Sequence, residues 1–515
     1  MDLKKTFLVV IATTFLSSAI LAQKDESIKY ANTITIEDLR EHLMVLSSDA
    51  LEGRETGMGG QKMAAAYIEY QFKTDGLKPI VTTPAGNSFV QSFDLVKKGP
   101  STSWIKMDDI MFTTPTDFAT YGNLSFDEPQ QSNLLFIGEG NPSDYKAIPV
   151  QGKNVVIYCT CEREERNSKA TLAKEKGAKN VFIINSGTDE EFNFILSMHN
   201  RYASYNRFTL PDNEEAESAD YFLISPKMGE MILNANQKTI IHEIEKTKQG
   251  KYGTILSMHS KEITFYVKQE IQKISTENVL GFVEGTDKKN EYIIITAHYD
   301  HLGLDGKEVY NGADDDGSGT VAVLEMAQAF ALAQKEGHGP RRSMLFMTVT
   351  GEEKGLLGST YYVNHPVLPL ENTITDLNID MIGRVDDKHV DDPNYVYLIG
   401  SDKLSKELHA ISEKTNATYT HLELDYTYNA KDDPNRFYYR SDHYNFAKNN
   451  IPVIFYFNGT HADYHKPTDT VDKINFELLE ERTKLVFHTA WEIANREDRI
   501  MVDTNPEEID LELSK

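Results

Sequence analysis

The chain has 515 residues, with 53 Lys and Arg against 79 Asp and Glu, and a formal net charge of -26 at pH 7. This length predicts two or three domains rather than one. The hydrophobic fraction of 40% is typical of a globular protein with a sizeable core, and it excludes a disordered or fibrous chain. The acidic balance argues against a nucleic acid or an anionic membrane as a partner, because phosphate binding relies on clustered Lys and Arg.

Residues 1–22 have the pattern of a secretory signal peptide. Two lysines precede an apolar run over residues 7–16, and Ala22 stands before a polar segment. The run is shorter than the roughly 20 residues that span a bilayer. Because the rest of the chain has no comparable run, we expect no membrane span. The pattern predicts an exported protein, either periplasmic or extracellular.

The chain has two cysteines, Cys159 and Cys161. Residues two apart in an extended segment rarely reach disulfide geometry without strain, so we expect no structural role for this pair. Two cysteines also cannot form a thiolate zinc site.

The first half of the chain predicts a helical segment followed by a small module. Apolar residues at helical spacing predict helices over residues 36–47 and from Met63 to Gly76. From about residue 116 to 267 the pattern changes to short buried strands around one helix. The predicted elements of this module are strands at 155–158 and 181–184 and a helix at 170–176.

After residue 276, buried strands alternate with helices. This alternation is typical of a twisted, mostly parallel α/β sheet, in which sites collect beyond the carboxyl ends of the strands. The predicted strands are 278–283, 292–297, 344–349, 374–379, 395–399 and 453–457, and the predicted helices are 319–333, 356–364, 403–414 and 476–496.

Two groups of acidic and histidine side chains follow the first long strand. The strand ends at His298, and Asp300 shares its face, so Asp300 can orient a metal-bound imidazole. Asp314–Asp316 lie in a turn before a helix, where three like charges are costly without a cation. A calcium EF-hand loop that began at Gly312 would have Val323 rather than Glu at its twelfth position, which excludes that motif.

Further candidate ligands follow the later strands. Glu352 and Glu353 are adjacent at a strand end, so one carboxylate can bind a metal while the other reaches a water as general base. Asp380 ends an apolar strand, where an unpaired charge is costly. His461 and His465 follow the strand at 453–457. Together these residues form a nitrogen and oxygen ligand set suited to zinc or a similar divalent ion.

Five motifs together resemble peptidase family M28, which contains dizinc aminopeptidases. They are His298-Tyr-Asp300, Gly312-Ala-Asp-Asp-Asp-Gly-Ser-Gly319, Gly351-Glu-Glu353, Asn378-Ile-Asp380 and Tyr464-His465, and Leu51-Glu-Gly-Arg54 also resembles the family. The resemblance implies an α/β fold: a three-layer peptidase domain with a twisted mixed, mostly parallel sheet. That domain would comprise residues 23–115 and 268–502, with an inserted β-rich protease-associated (PA) domain at 116–267 and an acidic tail at 503–515.

The resemblance also implies the metal ligands. Asp315 would bridge two zinc ions per chain. His298 and Asp380 would hold one ion, and Glu353 and His465 would hold the other.

The remaining roles concern catalysis and substrate binding. Glu352 would be the general base that deprotonates the bridging water, and Tyr464 would stabilise the oxyanion. Glu352 or Asp442 would hold the ammonium group of a substrate N-terminus through a charge-assisted contact. The peptide bond between Asp315 and Asp316 would be cis.

Three other histidines are not expected to be ligands. His301 is expected to face away from the site, and His443 matches a family segment near the pocket that holds no metal. His465 is preferred to His461 because Tyr-His-x-Pro-x-Asp-Thr resembles the family's final ligand motif.

The resemblance predicts an exported zinc-dependent exopeptidase that removes N-terminal residues from peptides or proteins. Two alternatives remain open: a glutaminyl cyclase-like acyltransferase with one zinc, and a non-catalytic, receptor-like binding protein. The complete ligand set argues against both. A zincin helix fails because Lys246 stands where the second histidine is required, and no Gly-x-Ser-x-Gly motif occurs.

Overall fold

The computed structural model describes residues 26–185, 187–203, 207–211 and 219–504. The predicted signal peptide and residues 505–515 of the predicted acidic tail lie outside the described residues. The chain divides into a main unit, Met1–Asp94 with Ser275–Lys515, and an inserted unit, Leu95–Ile274. Both boundaries fall within long strands, Val90–Met107 and Glu262–Val283.

A twisted sheet forms the centre of the main unit. Its strands are β1 (Glu262–Val283), β2 (Lys288–His298), β3 (Arg342–Val349), β4 (Thr373–Ile379), β5 (Tyr395–Ile399), β6 (Glu423–Asp425) and β7 (Val453–Phe457). Across the described part of the sheet these strands follow the order β1-β3-β2-β4-β7-β5-β6. The neighbours β3 and β2, β2 and β4, and β4 and β7 are parallel. The carboxyl ends of these four strands therefore lie at the same edge.

Helices cover both faces of this sheet. Alternate residues of β2 belong to different cores: Ile293 and Ile295 pack into one, and Tyr292 and Ile294 into the other. Such strands are buried on both sides, which explains their nearly continuous apolar sequences. Helices Ile36–Leu46, Gly59–Asp75, Gly319–Lys335, Lys406–Tyr419 and Phe476–Asn495 contribute to the first core, and helices Leu357–Asn364 and His443–Ala447 to the second. The predicted mostly parallel α/β fold is confirmed.

Shorter elements connect the main ones. The described residues of the main unit also contain the short strands Val81–Thr83, Gly86–Ser88, Gly303–Asp305 and Glu308–Tyr310, and short helical turns at Asp49–Arg54, Ala313–Ser318, Leu370–Asn372, Thr427–Asn429, Phe437–Tyr439 and Val471–Lys473.

The predicted helix and strand positions agree closely with the structure. The helix predicted at 36–47 is Ile36–Leu46, and the Thr35 hydroxyl accepts a hydrogen bond from the Asp38 amide, as a helix cap does. The strands predicted at 395–399 and 453–457 coincide with β5 and β7. Within the described ranges of the chain, no helix combines the length and the apolar character needed to cross a membrane.

The inserted unit has its own sheet and core. In its described residues, the strands Phe118–Tyr121, Tyr221–Ile224, Asn180–Asn185, Asn154–Cys159 and Leu135–Phe136 are neighbours in that order, and only the first pair is antiparallel. Further strands are Ile110–Thr113, Gln130–Asn133 and Arg207–Thr209, and the helices are Pro142–Ala147, Arg163–Glu175, Asp189–Ala203, Pro226–Leu233, Gln237–Lys248 and Ile255–Ser257. The unit thus combines strands with helices.

The cysteine pair differs from its prediction. The structure joins Cys159 and Cys161 in a disulfide, with their Cα atoms 5.4 Å apart. The strand ends at Cys159, so the segment is not extended through Cys161. The expectation that this pair has no structural role was therefore wrong.

His488 is a buried histidine in the last long helix. Its Nδ1 lies 2.6 Å from the Ser27 hydroxyl, and its ring stacks on Tyr419 with centroids 3.9 Å apart. Burial lowers the pKa of His488 to about 3. The folded protein therefore keeps this ring neutral at a pH where the unfolded chain protonates it.

We predict that His488→Gln weakens the dependence of stability on acid pH. Below an ordinary histidine pKa of about 6.5, the unfolded wild type gains a proton that the folded protein does not. The free energy of unfolding of the wild type should then fall by up to about 1.4 kcal/mol per pH unit through this residue alone. Denaturant unfolding at several values between about pH 7 and pH 5 measures both slopes, and equal slopes would contradict the prediction.

Candidate metal centre

His298, at the end of β2, presents a bare nitrogen to a group of carboxylates. Its Nδ1 lies 3.0 Å from the Asp300 carbonyl oxygen, which can only accept, so Nδ1 carries the hydrogen and Nε2 the lone pair. Nε2 lies 3.3 Å from Asp315 Oδ1 and 3.6 Å from Asp380 Oδ1. Glu352 Oε2 lies 3.9 Å from the same nitrogen. A neutral Nε2 that faces three carboxylates is repelled unless a proton or a metal ion lies among them.

Asp315 also faces a second cluster. Its Oδ2 lies 3.0 Å from His465 Nε2, and Glu353 Oε2 lies 3.3 Å from that nitrogen. His301 Nδ1 lies 2.9 Å from Glu353 Oε1 and 3.9 Å from Asp315 Oδ2. One carboxylate is therefore shared between two histidine and carboxylate clusters.

The donor atoms of these clusters fit a divalent cation. Asp315 Oδ2 and Glu353 Oε1 are buried and accept no hydrogen bond from the described residues. Two groups bring three ligand atoms within 4.8 Å of one another: His298 with Asp315 and Asp380, and His301 with Asp315 and Glu353. Imidazole nitrogen and carboxylate oxygen are ligands that zinc accepts readily. A zinc ion bound here would therefore be a partner for the unpaired oxygens of Asp315 and Glu353 and for Nε2 of His298.

The three carboxylates of the turn before helix Gly319–Lys335 have different partners. Asp314 Oδ1 accepts a hydrogen bond from the Gly383 amide at 2.7 Å, and Asp316 Oδ1 accepts one from the Met381 amide at 2.9 Å. Only Asp315 faces both clusters. The peptide bond between Asp315 and Asp316 is cis, as predicted. Gly312 begins the turn at φ 53°, where a Cβ would lie 2.2 Å from the Asp315 carbonyl oxygen, so no other residue fits.

Asp469 fixes the backbone of this turn. Its Oδ2 accepts hydrogen bonds from the amides of Asp314 and Asp315 at 2.9 and 3.2 Å. Asp469 is fully buried and follows β7, four residues after His465. The segment that carries one candidate ligand therefore also holds the backbone of the shared one.

Asp300 positions two of its neighbours. Its carbonyl oxygen, rather than its carboxylate, accepts the hydrogen bond from His298. The carboxylate accepts hydrogen bonds from the Thr56 hydroxyl at 2.6 Å and the Glu352 amide at 3.2 Å. The backbone carbonyl of Asp300, rather than the predicted side chain, thus orients His298, and the Asp300 carboxylate fixes the start of the segment that carries Glu352.

A pocket opens at the candidate metal centre. It is lined by Asp315, Glu352, Asp380, Met381, Phe437, Arg440, Phe455, Phe457, Thr460, Tyr464 and His465. Burial raises the pKa of the Glu352 carboxyl well above its ordinary range, against the opposing charge of His298. Burial also raises the pKa of Tyr464, whose ring stacks on His465 with centroids 3.9 Å apart. Burial therefore makes the Glu352 carboxylate a stronger base, and the Tyr464 hydroxyl a weaker acid, than the same groups in water.

Histidine and acid charges are strongly coupled across the centre. For His465, burial alone would lower the pKa, but close contacts with the carboxylates of Asp315 and Glu353 raise it to about 10. Burial would raise the pKa of Asp315, yet contacts with His298 and His465 bring it well below its ordinary value. Protons or a metal ion must therefore balance the charge of these carboxylates.

Asp442, a predicted pocket residue, is not brought to the pocket. It is fully buried, and its carboxylate accepts a hydrogen bond from the Ser359 hydroxyl at 2.5 Å. Burial raises the pKa of Asp442 to about 7. The neighbouring Ser441 hydroxyl donates to Asp380 Oδ2 at 2.7 Å. Asp442 therefore does not line the pocket, which argues against a direct contact with a substrate ammonium.

The three histidines that were set aside have different surroundings. His461 Nε2 lies 3.1 Å from Asp314 Oδ2. His443 is buried without a hydrogen-bond partner in the described residues, and burial lowers its pKa to about 3. His301 was expected to face away, and that expectation was wrong. β2 ends at His298, so the alternation of a strand no longer applies three residues later.

Arg54 is a residue that the sequence analysis gave no role. It is buried, and its guanidinium donates to the carbonyl oxygens of Tyr299, Asn311 and Gly312 at 2.7 to 2.9 Å. A further hydrogen bond of 2.6 Å reaches the Leu46 carbonyl. Arg54 thus joins the segment after β2 to the turn that carries Asp315. The Leu51-Glu-Gly-Arg54 motif carries a resemblance to the family, but its residues do not indicate which carbonyls Arg54 contacts.

We predict that Arg54→Lys lowers metal affinity. Lysine cannot donate in the fixed fork that contacts all four carbonyls, so the two ligand-bearing segments should lose their common anchor. Zinc content after dialysis against a zinc buffer should fall. The free energy of unfolding should also fall, by about 2 kcal/mol or more. Arg499→Lys is the matched control, since Arg499 also donates to two carbonyls, those of Glu371 and Thr373, but is exposed. Equal zinc content in wild type and Arg54→Lys would refute the anchoring role.

Comparisons with known proteins find similarity to peptidases. The profile of Peptidase family M28 matches residues 278–490. A probable leucine aminopeptidase of Arthroderma otae is 28% identical over 48% of this chain and 64% of its own length. Aminopeptidase YwaD of Bacillus subtilis is 23% identical over 62% of this chain and 68% of its own. A probable glutamate carboxypeptidase of Arabidopsis thaliana is 26% identical over 48% of this chain, which spans 38% of that relative.

A solved structure shares the fold. The aminopeptidase from Aneurinibacillus sp. strain AM-1 superimposes with a TM-score of 0.50 at 19% identity, over 93% of this chain and 98% of that one. The chain spans between 31% and 64% of the length of the first curated relatives that it matches. Residues 278–490, which match the profile of Peptidase family M28, contain β2, β3, β4, β7 and every candidate ligand.

Proposed function

We propose that this protein is a zinc-dependent aminopeptidase that hydrolyses N-terminal residues from peptides or proteins. The observation that carries the proposal is the shared carboxylate of Asp315, which faces two histidine and carboxylate clusters beside the pocket. Relatives that are named aminopeptidases support the same activity. Metal-assisted hydrolysis of an amide bond is the chemistry that these groups suit.

The proposed site holds two zinc ions. His298 and Asp380 would hold one ion, Glu353 and His465 would hold the other, and Asp315 would contribute to both. His465 is a better ligand than His301, because a ligating imidazole needs a partner for its second nitrogen. The side chain of His465 is 37% exposed and can reach water, whereas His301 Nε2 is buried with no hydrogen-bond partner in the described part of the chain.

Glu352 is the proposed general base. Divalent ions held at such a site supply Lewis acidity and lower the pKa of a water. The Glu352 carboxylate lines the pocket 3.9 Å from His298 Nε2, within reach of a proton at that place. With a pKa raised by burial, it can accept a proton from the attacking water and return it to the leaving amine. The hydroxyl of Tyr464 lies on the pocket wall, where it can donate a hydrogen bond to the oxygen that becomes negative.

The acidic wall of the pocket favours a substrate with a free N-terminus. Glu352 and Asp380 line it together with Asp315. An ammonium group is attracted to carboxylates by charge-assisted hydrogen bonds, and Glu352 is the proposed partner. This attraction would give preference to an aminopeptidase reaction over internal cleavage.

Two further assignments are proposals of the same kind. Residues 116–267 are proposed to form a protease-associated domain within the peptidase domain, supported by a compact inserted unit with its own hydrophobic core. Export to the periplasm or the outside of the cell is supported by the signal-peptide pattern of residues 1–22.

Replacing the general base tests the mechanism. Glu352→Gln keeps the shape of the side chain but removes its basicity, so zinc content should be unchanged while kcat falls at least about 100-fold. Release of p-nitroaniline from leucine p-nitroanilide by zinc-loaded protein measures the rate, and a chelator should abolish it in the wild type. Glu371→Gln, at an exposed position outside the pocket, is the control. Undiminished turnover in Glu352→Gln would refute this role.

Zinc content separates the candidate histidine ligands. His465→Ala should bind one zinc per chain rather than two, because it removes a ligand from the ion next to Glu353. His461→Ala should keep both, because that ring contacts Asp314 instead. Elemental analysis of the purified proteins gives the ratio. Loss of zinc from His461→Ala with two ions retained by His465→Ala would reverse the assignment.

A further inference from the structure

Arg440 is the one arginine among the residues that line the pocket. Four apolar side chains, Phe437, Phe455, Phe457 and Met381, share the lining with it and with the carboxylates. The Arg440 guanidinium lies over the Phe437 ring, 4.7 Å from its centroid. The pocket therefore has carboxylates at the metal centre and a cation on an aromatic surface.

Among the described residues, no carboxylate pairs with Arg440. Some arginines of the main unit do have such partners: Arg384 lies 2.9 Å from Asp463, and Arg341 lies 2.6 Å from Asp287. The guanidinium of Arg440 therefore keeps its donors available at a concave surface.

The backbone holds Arg440 close to the metal centre. Its amide donates to the Phe437 carbonyl at 3.0 Å, which closes the short helical turn Phe437–Tyr439. The next residue, Ser441, donates to the Asp380 carboxylate at 2.7 Å. Arg440 is thus one residue away from a direct contact to a candidate ligand, and its position depends on the same segment.

We propose that Arg440 binds a carboxylate of the substrate and that the enzyme favours peptides with such a group near the scissile bond. Guanidinium groups bind carboxylates with two parallel hydrogen bonds, and stacking on Phe437 restricts the side chain before the substrate arrives. The carboxylate can be the acidic side chain of the N-terminal residue or the free C-terminus of a dipeptide. This inference rests on the proposed aminopeptidase activity and adds a substrate class to it.

Four substrates distinguish the two sources of the carboxylate. Glutamyl p-nitroanilide carries it on the side chain, and leucine p-nitroanilide has none. Leucyl-leucine carries it at the C-terminus, and leucyl-leucine amide has none. Zinc-loaded full-length protein is compared with Arg440→Gln and Arg440→Lys, and each pair of substrates gives one ratio of kcat/KM.

We expect Arg440→Gln to lower one of these ratios by at least about 5-fold, mainly through KM, because it removes a charged hydrogen-bond donor. Arg440→Lys should restore part of the ratio, which a purely structural role would not predict. Arg436→Gln is the matched control: Arg436 flanks the same helical turn and lies over Tyr439, but it does not line the pocket.

The outcomes distinguish a failure of the inference about Arg440 from a failure of the proposed aminopeptidase activity. If wild type hydrolyses the substrates but both ratios stay within about twofold in Arg440→Gln, the inference about Arg440 is wrong and the proposed function stands. An equal fall in Arg436→Gln would also overturn it. If zinc-loaded wild type releases product from none of the four substrates, the proposed function itself fails, and the inference fails with it.

Discussion

The charge of buried carboxylates at one edge of the sheet is the constraint on which the main unit depends. Asp300, Asp315, Glu352, Glu353 and Asp380 gather where four parallel strands end, and burial makes each unpaired negative charge costly. The fold deals with part of this charge itself. Asp300 accepts hydrogen bonds from Thr56 and from a backbone amide. The atoms left without donors surround the bare nitrogen of His298 and the shared carboxylate, and a metal ion is the natural counter-charge there.

Arg54 is a buried cation near these carboxylates that forms no hydrogen bond with them. It lies close enough to the carboxylates for their field to oppose the lowering of its pKa by burial, yet its donors all go to carbonyl oxygens. Those bonds hold the segment after His298 and the turn that carries Asp315. Its charge offsets part of the electrostatic cost of the site, while its geometry leaves the carboxylates free to bind metal. A carboxylate-paired arginine would instead compete with the ion.

Much of the site could be predicted because strand ends are visible in the sequence. Long apolar runs that stop at His298 and before Glu352 and Asp380 fix where side chains leave the sheet, and parallel strands bring those ends together. Prediction failed where the backbone leaves regular geometry. His301 comes after the strand alternation has stopped, so its expected direction was wrong. Cys161 follows the last residue of its strand, so the extended spacing assumed for the cysteine pair did not apply.

Other features have no local signal at all. Asp469 contacts the amides of a turn about 150 residues earlier, and Arg54 contacts carbonyls about 250 residues later. Hydrogen bonds to the backbone are independent of the partner's side chain, so no residue pattern at the partner announces them. The motif that contains Arg54 could be recognised by resemblance, but its physical role follows only from the fold.

These long-range contacts imply that folding and metal binding are linked. The candidate ligands come from segments that follow four different strands, and Arg54 and Asp469 hold those segments together through the backbone. An unfolded chain has none of these contacts, so it cannot bring a shared carboxylate between two histidine clusters. An ion that binds only the assembled site stabilises the folded state by mass action. The same contacts keep the ligand atoms a few ångströms apart before an ion arrives, which lowers the ordering cost of binding. The carboxylates that would otherwise destabilise the sheet edge therefore become, with metal, a contribution to its stability.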